Sequence, residues 1–218
     1  MMFEAVDIST HAQKKRGFHL EHISFSLPEG YIMGLIGKNG AGKSTFFRTV
    51  TGEHAGYEGK LLLNGTPLGE DHVWDMEHMG FVYEDHPFLG SRSLIQNAEL
   101  LGRLYENFDM DRFRETLSQF GLPLSKNVNV LSRGENMKFQ LAFAMAHHPS
   151  LYLIDEATAG MDPVFRMEFY RILRNLLEEE RCSVILSTHV REEITKELDY
   201  VGVLEDGKLV SFGENDWT

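Results

Sequence analysis

The fold of this chain is decided by the stretch Gly37-Lys38-Asn39-Gly40-Ala41-Gly42-Lys43-Ser44. The stretch matches the phosphate-binding loop pattern G-x-x-x-x-G-K-[ST], which connects a strand to the first turn of a helix. The surrounding sequence predicts this context, with a strand at residues 31–36 and a helix that begins near Lys43. The glycines leave backbone N–H groups free to converge on an anion, and the helix N-terminus adds partial positive charge. We therefore predict that residues 37–45, Thr45 included, bind nucleotide phosphates, with Lys43 on the outer phosphates and Ser44 on Mg²⁺.

A second signal for a nucleotide site follows the short apolar run at residues 151–154. Continuous apolar runs of this length are typical of strands that are buried on both faces of a parallel sheet. The run ends at Asp155, and a carboxylate in this place can hold Mg²⁺. Glu156 follows directly, and a carboxylate beyond the metal ligand can orient and deprotonate an attacking water. We predict that Asp155 is a metal ligand and that Glu156 is the general base.

The opening third of the chain predicts strands, and the middle predicts helices. Residues 3–8 and 18–27 are rich in β-branched and aromatic side chains. From Ser93 to about Gly121 the apolar positions follow helical spacing, as in Leu94, Ala98, Leu101 and Tyr105. We interpret the middle stretch as a helical insertion.

The last third predicts a strand-helix-strand unit. Asp162 is suited to cap a helix that Pro163 begins, and a second buried strand is predicted at residues 183–186. The segments 200–204 and 208–212, separated by Asp-Gly, predict a hairpin. Together these patterns indicate an α/β fold with a parallel sheet.

Composition excludes several classes of function. The 218 residues carry 21 Lys and Arg against 33 Asp and Glu, a net charge of −12, and such an acidic chain disfavours nucleic acid as a partner. The length suits one domain, and no run of roughly 20 apolar residues suggests a membrane span. Cys182 is the single cysteine, which is typical of a reducing compartment.

Five motifs occur in a fixed order along the chain. Lys43-Ser44 is followed by Leu131-Ser132-Arg133-Gly134-Glu135, Asp155-Glu156, Ala159-Gly160-Met161-Asp162 and Ser187-Thr188-His189. This order resembles the nucleotide-binding subunit of ATP-binding cassette (ABC) transporters, and the stretch at Leu131, similar to the signature L-S-G-G-Q, is the most discriminating element. The resemblance implies one P-loop NTPase domain of ABC type over residues 1–218. It implies a mainly parallel core sheet, an N-terminal antiparallel β subdomain and a helical subdomain inserted at about residues 85–145.

The resemblance also implies a function. Two such chains face head to tail, as a homodimer or as a heterodimer with a second ABC ATPase, and each ATP lies between a phosphate loop and the partner's signature. Ser132 and the backbone of Gly134 would approach the γ-phosphate from across the interface, Asp162 would lie in the loop between the two sites, and His189 would hydrogen-bond the γ-phosphate.

Hydrolysis of ATP would power transport, in the direction of export, through a separate integral membrane permease that contacts residues 84–131. The subunit would then be cytoplasmic and peripheral on the inner face of the membrane. The alternative is a non-transport ABC ATPase, similar to the scaffold kind that serves iron–sulfur cluster assembly.

Three positions depart from the family pattern. Glu84 stands where the family has a Gln that senses Mg²⁺, and this variant is similar to transporters that expel or confer immunity to antimicrobial peptides. Arg133 either places an extra cation near the partner's nucleotide or pairs with Glu135, and we favour the pairing. The aromatic residue that stacks on adenine in the family is replaced by either His11 or Phe18.

Overall fold

The computed structural model describes residues 1–11, 19–53, 56–83, 86–155, 161–188 and 191–216. The described residues form an α/β fold with two sheets, and the α/β class is as predicted. Among the described residues, none of the helices has both the length and the apolar character to cross a bilayer.

The larger sheet has six strands and is mainly parallel. Its strands are β3 (Ile32–Ile36), β6 (Met79–Val82), β7 (Leu151–Ile154), β8 (Ser183–Thr188), β9 (Tyr200–Glu205) and β10 (Lys208–Glu214), in the spatial order β10-β9-β3-β8-β7-β6. All neighbouring strands are parallel except β9 and β10, which form the predicted hairpin. The strand before the phosphate loop, β3, therefore lies in the middle of the sheet.

The smaller sheet is antiparallel and contains most of the N-terminal strands. It consists of β1 (Phe3–Thr10), β2 (Ile23–Leu27), β4 (Tyr57–Leu63) and β5 (Thr66–Pro67), in the order β2-β1-β4-β5. The strand predicted at residues 18–27 begins only at Ile23. His22 has a φ of +51°, in the left-handed region that an extended strand excludes, and residues 12–18 lie outside the described part of the chain.

The described helices are α1 (Lys43–Val50), α2 (His72–His78), α3 (Leu94–Leu101), α4 (Met110–Gln119), α5 (Arg133–Met145), α6 (Pro163–Glu179) and α7 (Arg191–Lys196). The helical stretch predicted from Ser93 is divided by a 3₁₀ turn at Gly102–Leu104, so Tyr105 lies outside α3. Tyr105 has an extended backbone, with φ −111° and ψ +136°, and ends the turn. Phe108 packs directly on Gly102, where a Cβ would lie 2.8 Å from the ring. Asp109 then accepts two backbone hydrogen bonds and begins α4.

In the part of the chain that the structure describes, three apolar clusters hold these elements together. One lies between the antiparallel sheet, α1 and one face of the core sheet, and includes Phe3, Phe25 and Phe46. The second packs α6 against the opposite face, where Tyr152 and Phe169 are buried. The third joins α3, α4 and α5. Alternate residues of β7 and β8 enter the first and second clusters, as expected for strands buried on both faces.

Candidate functional site

The strand register brings three candidate segments to one edge of the core sheet. Ile36 of β3 pairs with Thr188 of β8, and Ile154 of β7 pairs with Leu186. The phosphate loop, Asp155 and the end of β8 therefore all leave the sheet at the carboxyl ends of adjacent parallel strands. This edge is where open α/β sheets bind their ligands.

The backbone of the phosphate loop requires glycine at several positions. Gly40 and Gly42 have φ values of +85° and +116°, which L side chains adopt only with strain. At Gly37 the constraint is space, because a Cβ would lie 2.4 Å from the carbonyl oxygen of Leu204 in β9. Gly42 caps α1 without a side-chain hydrogen bond, so the first N–H groups of the helix are not covered by a capping side chain.

The side chain of Lys43 is directed back onto the loop. It is 5% exposed, and its Nζ donates to the carbonyl oxygens of Gly37 at 2.8 Å and Lys38 at 3.4 Å. The loop thus holds an ammonium group close to the N-terminus of α1, and both carry positive charge. A cation beside the N–H groups of a helix N-terminus is suited to bind an anion with several negative oxygens.

The hairpin of β9 and β10 supports the loop from behind. The N–H of Gly207 donates to the carbonyl of Ala41 at 3.0 Å, and the carbonyl of Gly207 accepts from the N–H of Glu21 at 2.9 Å. A Cβ on Gly207 would lie 2.2 Å from the carbonyl oxygen of His19. The loop conformation therefore depends on the turn between β9 and β10, which lies near the other end of the chain.

Asp155 is positioned by Ser187 of β8. The buried Ser187 hydroxyl donates to Asp155 Oδ1 at 2.5 Å. Ser44 is exposed on the first turn of α1. A carboxylate oxygen and a hydroxyl are the hard oxygen ligands that suit Mg²⁺, so the residues present fit this ion. The sequence places Ser187 in a motif but does not predict this contact, because its partner Asp155 is 32 residues away.

The predicted signature residues form a second group at the start of α5. Ser132 is the N-cap, and it exchanges hydrogen bonds with Glu135 in a complete capping box. Among the described residues, Glu135 forms an ion pair with Lys126 at 2.7 Å, whereas the sequence leads us to favour Arg133 as its partner. The hydrogen bond from Lys126 and the backbone N–H of Ser132 lower the pKa of the Glu135 carboxyl. A charged Glu135 thus holds the N-terminus of α5 in place.

Gly134 and Asp162 both lie against Phe165, Gly134 at its ring and Asp162 at its backbone N–H. A Cβ on Gly134 would lie 2.7 Å from the ring of Phe165, so α5 approaches α6 closely at this point. Asp162 caps α6 as predicted, and its carboxylate accepts from the N–H of Phe165 at 3.0 Å. The start of α5 and the start of α6 therefore lie side by side.

Several predicted site residues lie outside the described part of the chain. These are Glu84, Glu156, His189 and Phe18. His11 is described: it is exposed, and its ring lies beside Gly56, where a Cβ would come within 3.1 Å of it. The choice between His11 and Phe18 for the adenine stays open.

A glycine-rich loop between a central parallel strand and a helix, with an aspartate on a neighbouring strand, defines a nucleotide-binding protein of the phosphate-loop class. The family model described as "ABC transporter" matches residues 20–159, which is more than half of the chain. The chain belongs to the ABC transporter family.

Individual relatives and solved structures agree with this assignment. The chain is 30% identical over 206 residues to a methionine import ATP-binding protein, MetN, from Protochlamydia amoebophila, and it is 28% identical over 197 residues to a bacitracin transport ATP-binding protein, BcrA, from Bacillus licheniformis. These matches cover 90% and 88% of this chain, but only 60% and 63% of the length of the two relatives. A solved ATP-binding cassette, described as a dimer in a post-hydrolysis state bound to ADP and Pi, has a TM-score of 0.85 at 20% identity and covers 98% of both chains. This likeness confirms the ABC type of the fold.

Proposed function

We propose that this chain is the ATP-binding and ATP-hydrolysing subunit of an ABC transporter. The observation that carries the proposal is the group at the carboxyl edge of the core sheet. There the phosphate loop encloses the ammonium of Lys43, and Ser187 orients Asp155. The group provides positive charge for phosphates and oxygen ligands for a cation, which are the two requirements for positioning a nucleoside triphosphate.

In the proposed reaction the chain positions ATP and stabilises charge. The loop N–H groups and Lys43 hold the phosphate oxygens, and Lys43 neutralises negative charge that develops as the terminal phosphoryl group is transferred to water. Mg²⁺, held by Ser44 and Asp155, with Glu84 proposed nearby, would add Lewis-acid charge neutralisation. Glu156, which directly follows Asp155, accepts the proton of the attacking water, and His189, which directly follows Thr188, donates a hydrogen bond to the γ-phosphate.

We further propose that two chains act together head to tail. The phosphate loop and the group formed by Ser132, Gly134 and Asp162 belong to different elements, and the second group presents an exposed helix N-terminus that can bind an anion. The solved cassette described as a dimer with ADP and Pi supports the action of two chains together. The second chain is either a copy of this one or a related ABC ATPase.

The partner that completes the transporter is proposed to be an integral membrane permease, which would hold this subunit at the cytoplasmic face. Both relatives named above are transport proteins, which favours transport over iron–sulfur cluster assembly. Within the segment we assign to permease contact, four large apolar side chains are exposed by 44 to 71%: Leu89, Leu100, Leu104 and Val130. The resemblance of the Glu84 variant to peptide-immunity transporters supports export.

ATP binding and phosphate release by the purified chain test the catalytic proposal. The wild type is expected to bind ATP with Mg²⁺ and release phosphate, and Lys43→Ala is expected to lose binding by at least about tenfold. Glu156→Gln is expected to bind ATP normally, to stay dimeric in ATP on size-exclusion chromatography and to release almost no phosphate. A wild type that binds no ATP would overturn the proposal, and rapid hydrolysis by Glu156→Gln would overturn the assignment of the base.

Membrane association tests the transport proposal separately. The chain is expected to co-purify from solubilised membranes with one integral membrane protein. Recovery with soluble cluster-assembly proteins, in the absence of an integral partner, would contradict it.

A further inference from the structure

One face of α5 carries four residues spaced four apart: Ser132, Asn136, Gln140 and Ala144. Residues at this spacing lie one above another along a helix. This row faces β6 and the chain that leaves it. At the C-terminal end of the row α5 packs on β6, since a Cβ on Gly80 would lie 3.0 Å from the Cβ of Ala144. At the N-terminal end of the row Ser132 caps the helix.

Gln140 joins α5 to the chain immediately after β6 by a pair of hydrogen bonds. Its Oε1 accepts from the N–H of Tyr83 at 3.0 Å, and its Nε2 donates to the carbonyl of Tyr83 at 3.0 Å. The side chain is 4% exposed. An amide that bonds both backbone groups of one residue imitates a neighbouring strand. This fits the position of β6 at the edge of the sheet, because the backbone groups of Tyr83 point away from β7.

The neighbouring residue connects the same point to the phosphate site. The carbonyl of Val82 accepts from the N–H of Asp155 at 2.9 Å. Two adjacent residues therefore form hydrogen bonds on opposite sides of the same strand. Val82 bonds Asp155 on the side of the core sheet, and Tyr83 bonds Gln140 on the side of α5. Because successive residues of a strand direct their hydrogen-bonding groups to opposite sides, this division is what strand geometry requires.

The connection continues one turn further up α5. Gln140 Nε2 also donates to Asn136 Oδ1 at 2.9 Å, and Asn136 Nδ2 lies 2.8 Å from His86 Nε2. Since Asn136 Oδ1 is an acceptor here, its Nδ2 is directed at His86 and donates to it. Hydrogen bonds and the peptide bond between Val82 and Tyr83 thus connect Asp155 to Asn136 without a gap. Asn136 lies one helical turn after Ser132.

We propose that Gln140 is a positioning residue, which holds the signature end of α5, Ser132 and Gly134, in a defined place relative to Asp155. The proposal rests on the proposed function, because the signature matters only if it acts on a partner chain's ATP. Gln140 thus fixes the distance between two groups of the same chain. One is Asp155, the proposed metal ligand, and the other is the signature end of α5, which would contact the ATP bound by the partner chain. Energetic coupling between sites travels through such contiguous contacts, and it is established only by a measured effect.

The test is Gln140→Leu, which keeps the approximate volume and removes all three hydrogen bonds. ATP affinity of the isolated variant is expected to stay within about twofold of the wild type, because the phosphate loop is untouched. Turnover is expected to fall about tenfold, and the Hill coefficient for ATP is expected to approach one, because the two chains no longer align each other's site. A thermal melt of each variant measures the loss of stability.

The matched control is Asn97→Leu. Asn97 is a fully buried amide on α3 that also bonds both backbone groups of one residue, Leu89, at 2.8 and 3.1 Å. It lies outside the row on α5, so its loss is expected to lower the melting temperature while turnover and cooperativity persist. Equal turnover and Hill coefficients in the two variants would overturn the proposal.

A second variant covers the case in which Gln140→Leu does not fold. Asn136→Ala removes the bond to His86 and one bond of Gln140 and leaves the Tyr83 pair intact, so turnover is expected to fall about threefold with ATP affinity retained. Wild-type turnover in that variant contradicts the proposal. A wild type that neither binds nor hydrolyses ATP indicates that the proposed function fails, whatever these variants do.

Discussion

Acidification is expected to destabilise the fold through His147. The imidazole is 3% exposed, its Nδ1 lies 3.1 Å from the carbonyl oxygen of Glu77, and its ring stacks on Tyr105 at 4.1 Å. Burial lowers the pKa of His147 from 6.5 to about 4, against the opposing effect of the Glu77 carbonyl and carboxylate, and His148 and His78 lower it further. In the folded chain the ring therefore stays neutral at a pH where an unfolded chain would protonate it.

The size and sign of the effect follow from this difference in pKa. Protonation favours the unfolded state, so the contribution of His147 to stability is complete above pH 6.5 and is lost as the pH falls toward about 4. At about pH 5 the unfolded imidazole is almost fully protonated and the folded one hardly at all, which lowers the free energy of unfolding by about 2 kcal/mol.

Urea denaturation at about pH 7 and about pH 5 measures the effect. His147→Gln keeps a donor for the Glu77 carbonyl and removes the titration, so its loss of stability between the two pH values is expected to be about 2 kcal/mol smaller than that of the wild type. His22→Gln, which removes a histidine whose side chain is 79% exposed, is expected to behave as the wild type. An equal pH dependence in the wild type and His147→Gln would refute the reasoning.

Two further substitutions test the phosphate site. Gly37→Ala forces a Cβ against the carbonyl oxygen of Leu204, which is backbone and moves only with its strand. The free energy of unfolding is expected to fall by about 1–3 kcal/mol, which lowers the melting temperature. Thermal melts with and without ATP are expected to give the same melting temperature for this variant, because it no longer binds the nucleotide. Retention of that added stability would show that the loop tolerates the change. Ser187→Ala removes the donor that orients Asp155, so turnover is expected to fall about tenfold. The lost hydrogen bond to a charged group is expected to lower the free energy of unfolding by about 1.5–3 kcal/mol. Unchanged steady-state turnover would mean that Asp155 needs no such support.

The features predicted correctly from the sequence are those that depend on neighbours in the chain. The glycines of the phosphate loop, the cap at Asp162 and the apolar run of β7 each act within a few residues, so their patterns are visible without a fold. The mainly parallel core sheet follows from such runs, because strands buried on both faces need helices on both sides.

The features that were missed depend on contacts and dihedral angles that no sequence pattern encodes. Glu135 pairs with Lys126, and the sequence does not distinguish Lys126 from Arg133 as its partner. Gln140 contacts Tyr83 only because α5 packs beside the edge strand β6 in the folded chain. The two residues are 57 positions apart in sequence. The start of β2 was misplaced because the backbone at His22 turns into the left-handed region, which its residue type does not announce.

The central place of β3 has a consequence for synthesis of the chain. Both of its neighbours, β8 and β9, begin about 150 residues or more after β3 starts, as does the hairpin turn that supports Ala41. The antiparallel sheet, by contrast, draws on segments within the first 67 residues. During translation, the N-terminal sheet can therefore pair while the phosphate loop still lacks both flanking strands. A nascent chain should gain nucleotide affinity only after β9 has left the ribosome.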